Sequence, residues 1–158
     1  MHLKVIDDSN IKDFNSKFKK GIWIILYYAD WCGHCQNLKP TWNEYVERNV
    51  NNKALNIAEI PDTSFGKLAS QPMTNGFPSI KMFNNQKEVD IFSGDRSVPK
   101  FERFSNKNIN KILSELKKNS SLVKSKKKNS SLVKSKKKNS SSVKSNNKKS
   151  SSVKSKKK

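Results

Sequence analysis

YYADWCGHCQNLKPTW, residues 27–42, joins an apolar segment to a segment with helical periodicity. The run Ile22–Ala29 contains only apolar and aromatic residues, which predicts a buried central strand. A helix is predicted from about Cys32 to about Asn49, bent at Pro40, because apolar side chains recur at helical spacing: Leu38, Trp42, Tyr45 and Val46. The two cysteines of the chain are therefore expected where a buried strand meets a helix.

Cys32 and Cys35 form a C-x-x-C motif with His34 between them. A thiol on the first turn of a helix meets unpaired backbone amides and the positive end of the helix dipole, both of which favour the thiolate. Cys32 is therefore the expected nucleophile. Cys35, one turn later, points inward and can attack the mixed disulfide that Cys32 forms. His34 can donate a hydrogen bond or a positive charge to the Cys32 thiolate, which makes the disulfide a better oxidant.

The rest of residues 1–118 predicts an α/β domain with the element order βαβαβαββα, one mixed sheet flanked by helices. The other predicted elements are a strand Leu3–Ile6, a helix capped by Ser9, a strand Ala54–Ile60, a short helix 64–70, a hairpin of Ser79–Phe83 and Glu88–Phe92 turning at Asn84 and Asn85, and a last helix capped by Ser105.

Three segments resemble the thioredoxin superfamily, specifically the catalytic domains of protein disulfide isomerases. They are residues 27–42, NGFPSIKMF at 75–83 and, more weakly, SGDR at 93–96. The resemblance covers about residues 3–117. It implies a thioredoxin fold and thiol–disulfide exchange with protein substrates, without a metal or an organic cofactor, and with a separate redox partner that resets the site.

The resemblance also implies roles for individual residues. Pro78 is expected to be cis and to lie against the active-site disulfide, and the backbone of Phe77 is expected to pair with the substrate chain. Arg96 is expected to swing toward the inner cysteine and to lower its pKa. Trp31 and Gly33, the neighbours of the nucleophile, are assigned to the substrate-binding surface.

Two positions depart from the family pattern. The family usually places a buried acid six residues before the nucleophile, where it accepts the proton of the inner cysteine, and this sequence has Leu26 there. The family also tends to carry a lysine on the next strand, and this sequence has Glu59 there. Our hypothesis is that Glu59 takes over the proton transfer. The alternative is that Glu59 is an exposed carboxylate at a strand end and that the proton goes to water.

Metal binding is the main alternative for the cysteine pair. A zinc site within one chain would need Cys32, Cys35, His2 and His34, the only cysteines and histidines present. The tryptophan before the motif and the proline segment about 43 residues later favour redox chemistry, so no metal is predicted. His2, close to the start of the sequence, is predicted to be a solvated side chain.

The C-terminal segment differs in composition from the rest of the 158 residues. Residues 1–118 hold 18 Lys and Arg and all 13 acidic residues, whereas residues 119–158 hold 15 lysines and no acid. The segment consists of four decapeptide repeats starting with NSSLVKSKKK at residues 119–128. Its apolar residues form no helical stripe, so we expect a disordered tail that can bind nucleic acid or an anionic surface. Neither a transmembrane segment nor a signal peptide is recognised.

The sequence thus predicts a thiol–disulfide oxidoreductase of the protein disulfide isomerase type. A cytosolic thioredoxin-like reductant and a polyanion-binding structural protein with a thioredoxin scaffold are the two alternatives. A cytoplasmic location is expected, and the endoplasmic reticulum is disfavoured. Cytosolic thiol oxidants are known in large cytoplasmic DNA viruses, and the Asn- and Lys-rich composition suits such a source.

Overall fold

The computed structural model describes residues 1–4 and 8–136, with side chains through residue 120. The chain divides into two units, Met1–Lys117 and Lys118–Lys158. Its elements are β1 (His2–Lys4), α1 (Asp8–Lys17), β2 (Ile22–Tyr28), α2 (Gly33–Asn49), β3 (Asn56–Pro61), a 3₁₀ helix (Asp62–Lys67), β4 (Ser79–Asn84), β5 (Lys87–Ile91) and α3 (Val98–Lys136).

The sheet has five strands in the order β1-β3-β2-β4-β5. β1, β3 and β2 run parallel, while β4 is antiparallel to both β2 and β5. This mixed sheet flanked by helices confirms the predicted thioredoxin fold.

The central strand β2 is packed on both faces, which explains its continuous apolar sequence. Its even-numbered residues contact α2 and α3, whereas its odd-numbered residues contact α1. On the α2 and α3 side the largest buried residues include Trp42 and Phe101, and on the α1 side they include Trp23 and Phe14. Since β2 has a fixed face toward each layer, its C-terminal end delivers the following residues to a fixed place beside α2.

Helix α3 begins earlier than predicted. The carbonyl of Ser97 accepts hydrogen bonds from the amides of Lys100 and Phe101, so the first turn starts directly after Ser97. Ser105, the predicted cap, lies inside the helix instead, where its hydroxyl donates to the carbonyls of Phe101 and Glu102. A proline at residue 99 fits the first turn, because proline there has no amide hydrogen bond to lose.

The same helix continues through the first repeat and most of the second, to Lys136. Residues 119–136 contain neither glycine nor proline, so no residue in this stretch forces a helix to end. The expectation of a disordered tail covers residues 119–158. Residues 119–136 of that tail are helical in the structure, and residues 137–158 lie outside the described part of the chain.

Smaller differences concern turns and element ends. The hairpin turns at Asn85 and Gln86, whose φ angles are 49° and 70°, one residue later than predicted. Asn85 accepts a hydrogen bond from the amide of Gly21, which holds this turn beside the start of β2. The short helix predicted at 64–70 is the 3₁₀ helix of residues 62–67.

The N-terminal elements also differ slightly from the prediction. β1 starts at His2 and is described to Lys4, and the predicted strand residues 5 and 6 lie outside the described part of the chain. Ser9 lies within α1 and not before it. In residues 1–4 and 8–136, no helix has an apolar stretch long enough to cross a bilayer. The cytosolic location stays a prediction.

Candidate active site

Cys32 occupies the cap position immediately before α2. Its amide donates to the carbonyl of Ala29 at the end of the central strand, at 3.2 Å. Its own carbonyl accepts the first helical hydrogen bonds, from the amides of Cys35 and Gln36. The Cys32 sulfur also accepts from the Cys35 amide, at 3.3 Å. The sulfur therefore lies against the unpaired amides of a helix N-terminus, where negative charge is stabilised.

Cys35 lies on the first turn of α2 and faces inward. Burial, followed by the hydrogen bond with Cys32, raises its pKa to about 11. A contact with the Ala29 backbone and the positive charge of Arg96 act in the opposite direction, more weakly. At neutral pH Cys35 is therefore a protonated thiol, and it needs a proton acceptor before it can attack a disulfide.

The two cysteine residues are almost equally exposed, so burial does not distinguish the inner cysteine from the outer one. Cys32 is 8% exposed and Cys35 is 7% exposed, and both are free thiols. The cap position explains this result, because the loop before Pro78 covers the outer sulfur. The difference in reactivity between the two thiols must therefore come from hydrogen bonding and pKa.

The loop before β4 forms the other wall of the site. The Phe77–Pro78 peptide bond is cis. The Cys32 thiol donates to the carbonyl of Phe77 at 3.5 Å, and the rings of Phe77 and Trp31 meet edge to face at 5.9 Å. Trp31 is 75% exposed, although its indole nitrogen donates to Asp62 at 2.9 Å. The structure thus places Trp31 and the Phe77–Pro78 peptide bond beside Cys32.

Asp62 is a residue that the sequence analysis missed. It follows β3 directly, at the carboxyl edge of the sheet, and a polar residue in that place is the only sequence signal for it. Its carboxylate fixes an exposed indole ring beside the nucleophile. The contact reduces the conformational freedom of a large, exposed aromatic side chain beside Cys32.

Three other predicted residues have looser positions. His34 and Arg96 are both exposed, and within the described part of the chain the Cys32 sulfur has hydrogen bonds to Cys35 and Phe77 but none to His34. Gly33 is exposed as well, and a methyl group added there would meet no atom within 4 Å. The fold itself therefore does not require glycine at residue 33, and its small size leaves the surface beside Cys32 open.

Glu59 lies in the middle of the sheet and not at an exposed strand end. It is 4% exposed and is directly opposite Leu26 in the pairing of β3 with β2. A small cavity of about 30 Å³ is lined by Cys35, Leu26, Trp42 and Glu59 among others. A polar cavity of this size can hold one water molecule. The inner thiol and the buried carboxylate therefore face the same space.

The prediction that His2 is a solvated side chain is wrong. Its Nε2 lies 2.7 Å from Oε1 of Glu59. The two residues are 57 positions apart and meet because β1 and β3 are parallel neighbours. A buried carboxylate needs such a hydrogen-bonded partner, since an unpaired buried charge is costly.

The described residues contain no cluster of three or more His, Cys, Asp or Glu side chains that could hold a metal ion.

Residues 4–107 match the thioredoxin family. The chain belongs to the thioredoxin family.

Several members of the family are similar to this chain in sequence. Protein disulfide-isomerase 1 of Caenorhabditis elegans is 36% identical over 106 residues, which are 66% of this chain and 21% of that protein. Protein disulfide-isomerase TMX3 of Xenopus laevis is 32% identical over 103 residues, 65% of this chain and 22% of that protein. The chain thus spans about a fifth of the length of these relatives.

Solved structures of the family agree in fold. The first thioredoxin domain of mouse protein disulfide-isomerase A4 has a TM-score of 0.53 at 27% identity, covering 66% of this chain and 73% of that one. The J-Trx1 fragment of ERdj5 has a TM-score of 0.55 at 20% identity, over 69% of this chain and 52% of that one, which shows the fold alone.

Alkylation of the reduced thioredoxin domain near pH 7 should modify Cys32 much faster than Cys35. The two cysteines are almost equally exposed, so access does not explain the difference. The raised pKa of Cys35, which keeps its thiol protonated, does. Labelling of Cys35 should rise roughly tenfold per pH unit up to about pH 10, as its thiolate fraction grows toward the pKa of about 11. Peptide mass spectrometry after brief labelling measures both rates. Equal labelling of the folded protein near pH 7 would contradict the assignment, and protein unfolded in urea, which should label equally, is the control.

Proposed function

We propose that this protein is a thiol–disulfide oxidoreductase of the protein disulfide isomerase type, which exchanges disulfides with protein substrates through its WCGHC site. The observation that carries the proposal is the pair of unequal thiols: Cys32 on the amides of a helix N-terminus and Cys35 behind it, with a pKa of about 11. The exposed indole of Trp31 and the cis peptide before Pro78 support it, since both border the nucleophile. The names of the relatives support the isomerase type.

The proposed reduction of a substrate disulfide has two steps. The Cys32 thiolate attacks one substrate sulfur, so that a mixed disulfide forms and the other substrate sulfur leaves as a thiolate. Cys35 then loses its proton and attacks the sulfur of Cys32. This step forms the Cys32–Cys35 disulfide and releases the substrate as a dithiol, which has gained two electrons. The reverse sequence oxidises a substrate, and a separate redox partner restores the starting state.

Replacing Cys35 by serine should trap the mixed disulfide, because the first attack remains and the second is lost. Incubation with a disulfide-containing peptide, acid quenching and intact-mass spectrometry measure the adduct. Cys32→Ser should form no adduct and should lose catalysis of insulin reduction and of the refolding of a scrambled disulfide protein.

Two results would contradict the proposed function. Adduct formation on Cys35 in the Cys32→Ser variant at the wild-type rate would reverse the roles, and full catalysis without Cys32 would indicate a scaffold. The reduction potential separates the two enzymatic alternatives, because isomerase-type sites have values near roughly −180 mV and thioredoxin-type reductants near −270 mV.

We propose further that Glu59 accepts the proton of Cys35, directly or through one water in the shared cavity. Leu26 occupies the position where the family usually has the acid, so the floor of β2 below Cys35 offers no base. Glu59 is its cross-strand neighbour on β3 and lines the same cavity as the thiol. In this proposal the acid lies on β3, one strand away from its usual place on β2, and lines the same cavity as Cys35.

Glu59→Gln should slow the second step by about 10²-fold or more near pH 7, the usual contribution of a general base, and should leave the first attack by Cys32 nearly unchanged. Mixed disulfide would therefore accumulate, as measured by rapid quenching and mass spectrometry. Leu26→Glu in the same background should recover part of the rate, because Leu26 and Glu59 are register partners. Glu44→Gln, an exposed carboxylate on α2, is the matched control. Resolution at the wild-type rate by Glu59→Gln would show that Glu59 takes no part.

For the lysine-rich repeats we propose binding to a polyanion. Residues 119–158 hold 15 lysines without an acid, so counterion release favours association with nucleic acid or an anionic surface. The repeats contain no aromatic residue, so stacking on single-stranded bases would not contribute there.

Replacing the 15 tail lysines by glutamine in the full chain should abolish salt-sensitive binding to duplex DNA and to anionic vesicles. Exchange with small disulfides should stay unchanged, because the cysteine pair lies in the first unit. Replacing tail serines by glutamine is the control, since it keeps the charge. Fluorescence anisotropy across a salt series measures the binding. Equal binding by the lysine variant and the wild-type chain would show that the polyanion site lies elsewhere.

A further inference from the structure

The partner of the buried carboxylate lies at the edge of the sheet. The side chain of Glu59 is 5% exposed, whereas that of His2, at 2.7 Å, is 26% exposed. His2 belongs to β1, which is an edge strand of the sheet. The imidazole therefore touches a buried carboxylate and reaches solvent at the same time.

The start of the chain is held in place for this contact. The carbonyl of Met1 accepts from the amide of Ile57 at 2.8 Å, and His2 is the register partner of Ile57. The ammonium group of Met1 donates to the carbonyl of Leu55 at 3.5 Å. The backbone on both sides of the histidine is thus bonded to the segment that carries Glu59, which fixes the ring against the carboxylate.

Glu59 also lines a small cavity that His2 does not line. Cys35, Trp42 and Glu59 line it, and the indole nitrogen of Trp42 is buried without a hydrogen-bond partner among the described residues. The cavity of about 30 Å³ is large enough for one water, and its lining includes Cys35 and Glu59 as well as apolar residues. Cys35 and Glu59 therefore border one cavity, and the carboxylate is hydrogen-bonded to an imidazole that reaches solvent.

We propose that His2 is a positioning residue for the resolving step, which holds Glu59 in place and carries the proton of Cys35 between the carboxylate and solvent. The inference rests on the proposed role of Glu59. As the bond between Cys35 and Cys32 forms and the bond from Cys32 to the substrate breaks, the thiol proton goes to the Glu59 carboxylate. The carboxyl group then gives its proton to Nε2 of His2 in the tautomer that carries its hydrogen on Nδ1, and Nδ1 releases its own proton to water. When the disulfide is reduced again, the proton returns by the same groups.

Other charged or titratable groups border this pair on every side. Lys4 of β1 is opposite Glu59 in the register, Tyr28 comes from β2, and Asp30 and Lys39 line the same cavity as Cys35. Burial, with the negative charges of Asp30 and Glu59, raises the pKa of Tyr28, so that side chain stays neutral. Among these side-chain types only the imidazole ordinarily changes its charge between pH 5 and 8. Because Met1 is bonded to the segment that carries Glu59, variants must be compared with identical N-termini and without an N-terminal tag.

The test is a double-mutant cycle between His2 and Glu59 in the full chain. His2→Asn keeps a hydrogen-bond donor for the carboxylate but cannot exchange a proton near neutral pH. The rate of resolution is measured by rapid quenching and mass spectrometry, and the rate of the first attack by Cys32 is measured in the same experiment. We expect His2→Asn to resolve the mixed disulfide at least about tenfold more slowly at pH 7, and to have no further effect once Glu59 is glutamine.

The pH profile provides a readout that a purely structural role would not move. The wild-type rate should level off above neutral pH, whereas the rate of His2→Asn should keep rising with pH toward the pKa of Cys35, about 11. Additive effects of the two substitutions, or a wild-type profile in His2→Asn, would overturn the proposal for His2 while leaving the oxidoreductase function intact. If the wild-type protein forms no mixed disulfide at Cys32, the proposed function itself is overturned. Urea unfolding of each variant detects a loss of folding, and His2→Gln serves in place of His2→Asn where that occurs.

Discussion

Packing of β2 on both faces is the constraint on which the site depends. Because its side chains alternate between the α1 layer and the α2 and α3 layer, a shift of one residue would exchange every contact on both sides. The register of the strand is therefore fixed, and so is the point where the chain leaves the sheet. The carbonyl of Ala29, which is fully buried at that point, accepts a hydrogen bond from the amide of Cys32. Helix α2 then begins at Gly33, the residue after Cys32. The position of the nucleophile at a helix N-terminus thus follows from the apolar core.

The same packing determines where a buried charge can be placed. On the α2 and α3 side the buried residues of β2 are Ile22, Ile24 and Leu26, so β2 itself carries no acid there. Glu59 lies one strand further toward the edge, where β1 is near enough for His2 to form a hydrogen bond with it. Glu59 is buried and is hydrogen-bonded to His2, so removing the imidazole would leave the carboxylate without that bond, and an unpaired buried charge is costly.

The sequence predicted the features that local patterns encode and missed those that arise between distant strands. The run Ile22–Ala29 and the C-x-x-C motif have local signatures, and the junction between β2 and α2 is where they placed it. The cap of α3 was misplaced, because a serine occupies residue 97 as well as residue 105, and the amides of Lys100 and Phe101 bond to the carbonyl of Ser97. The contact between His2 and Glu59 had no sequence signal, since it depends on the pairing of β1 with β3.

Nearly equal burial of the two cysteines moves the explanation of their roles from access to electrostatics. Trp31 and the Phe77–Pro78 loop border the Cys32 sulfur. Cys35 and Glu59 line a cavity whose lining does not include Trp31, Phe77 or Pro78. In the proposed mechanism the substrate and the proton of Cys35 therefore meet different residues, so the group that accepts the proton can change from strand to strand without altering the surface that meets the substrate.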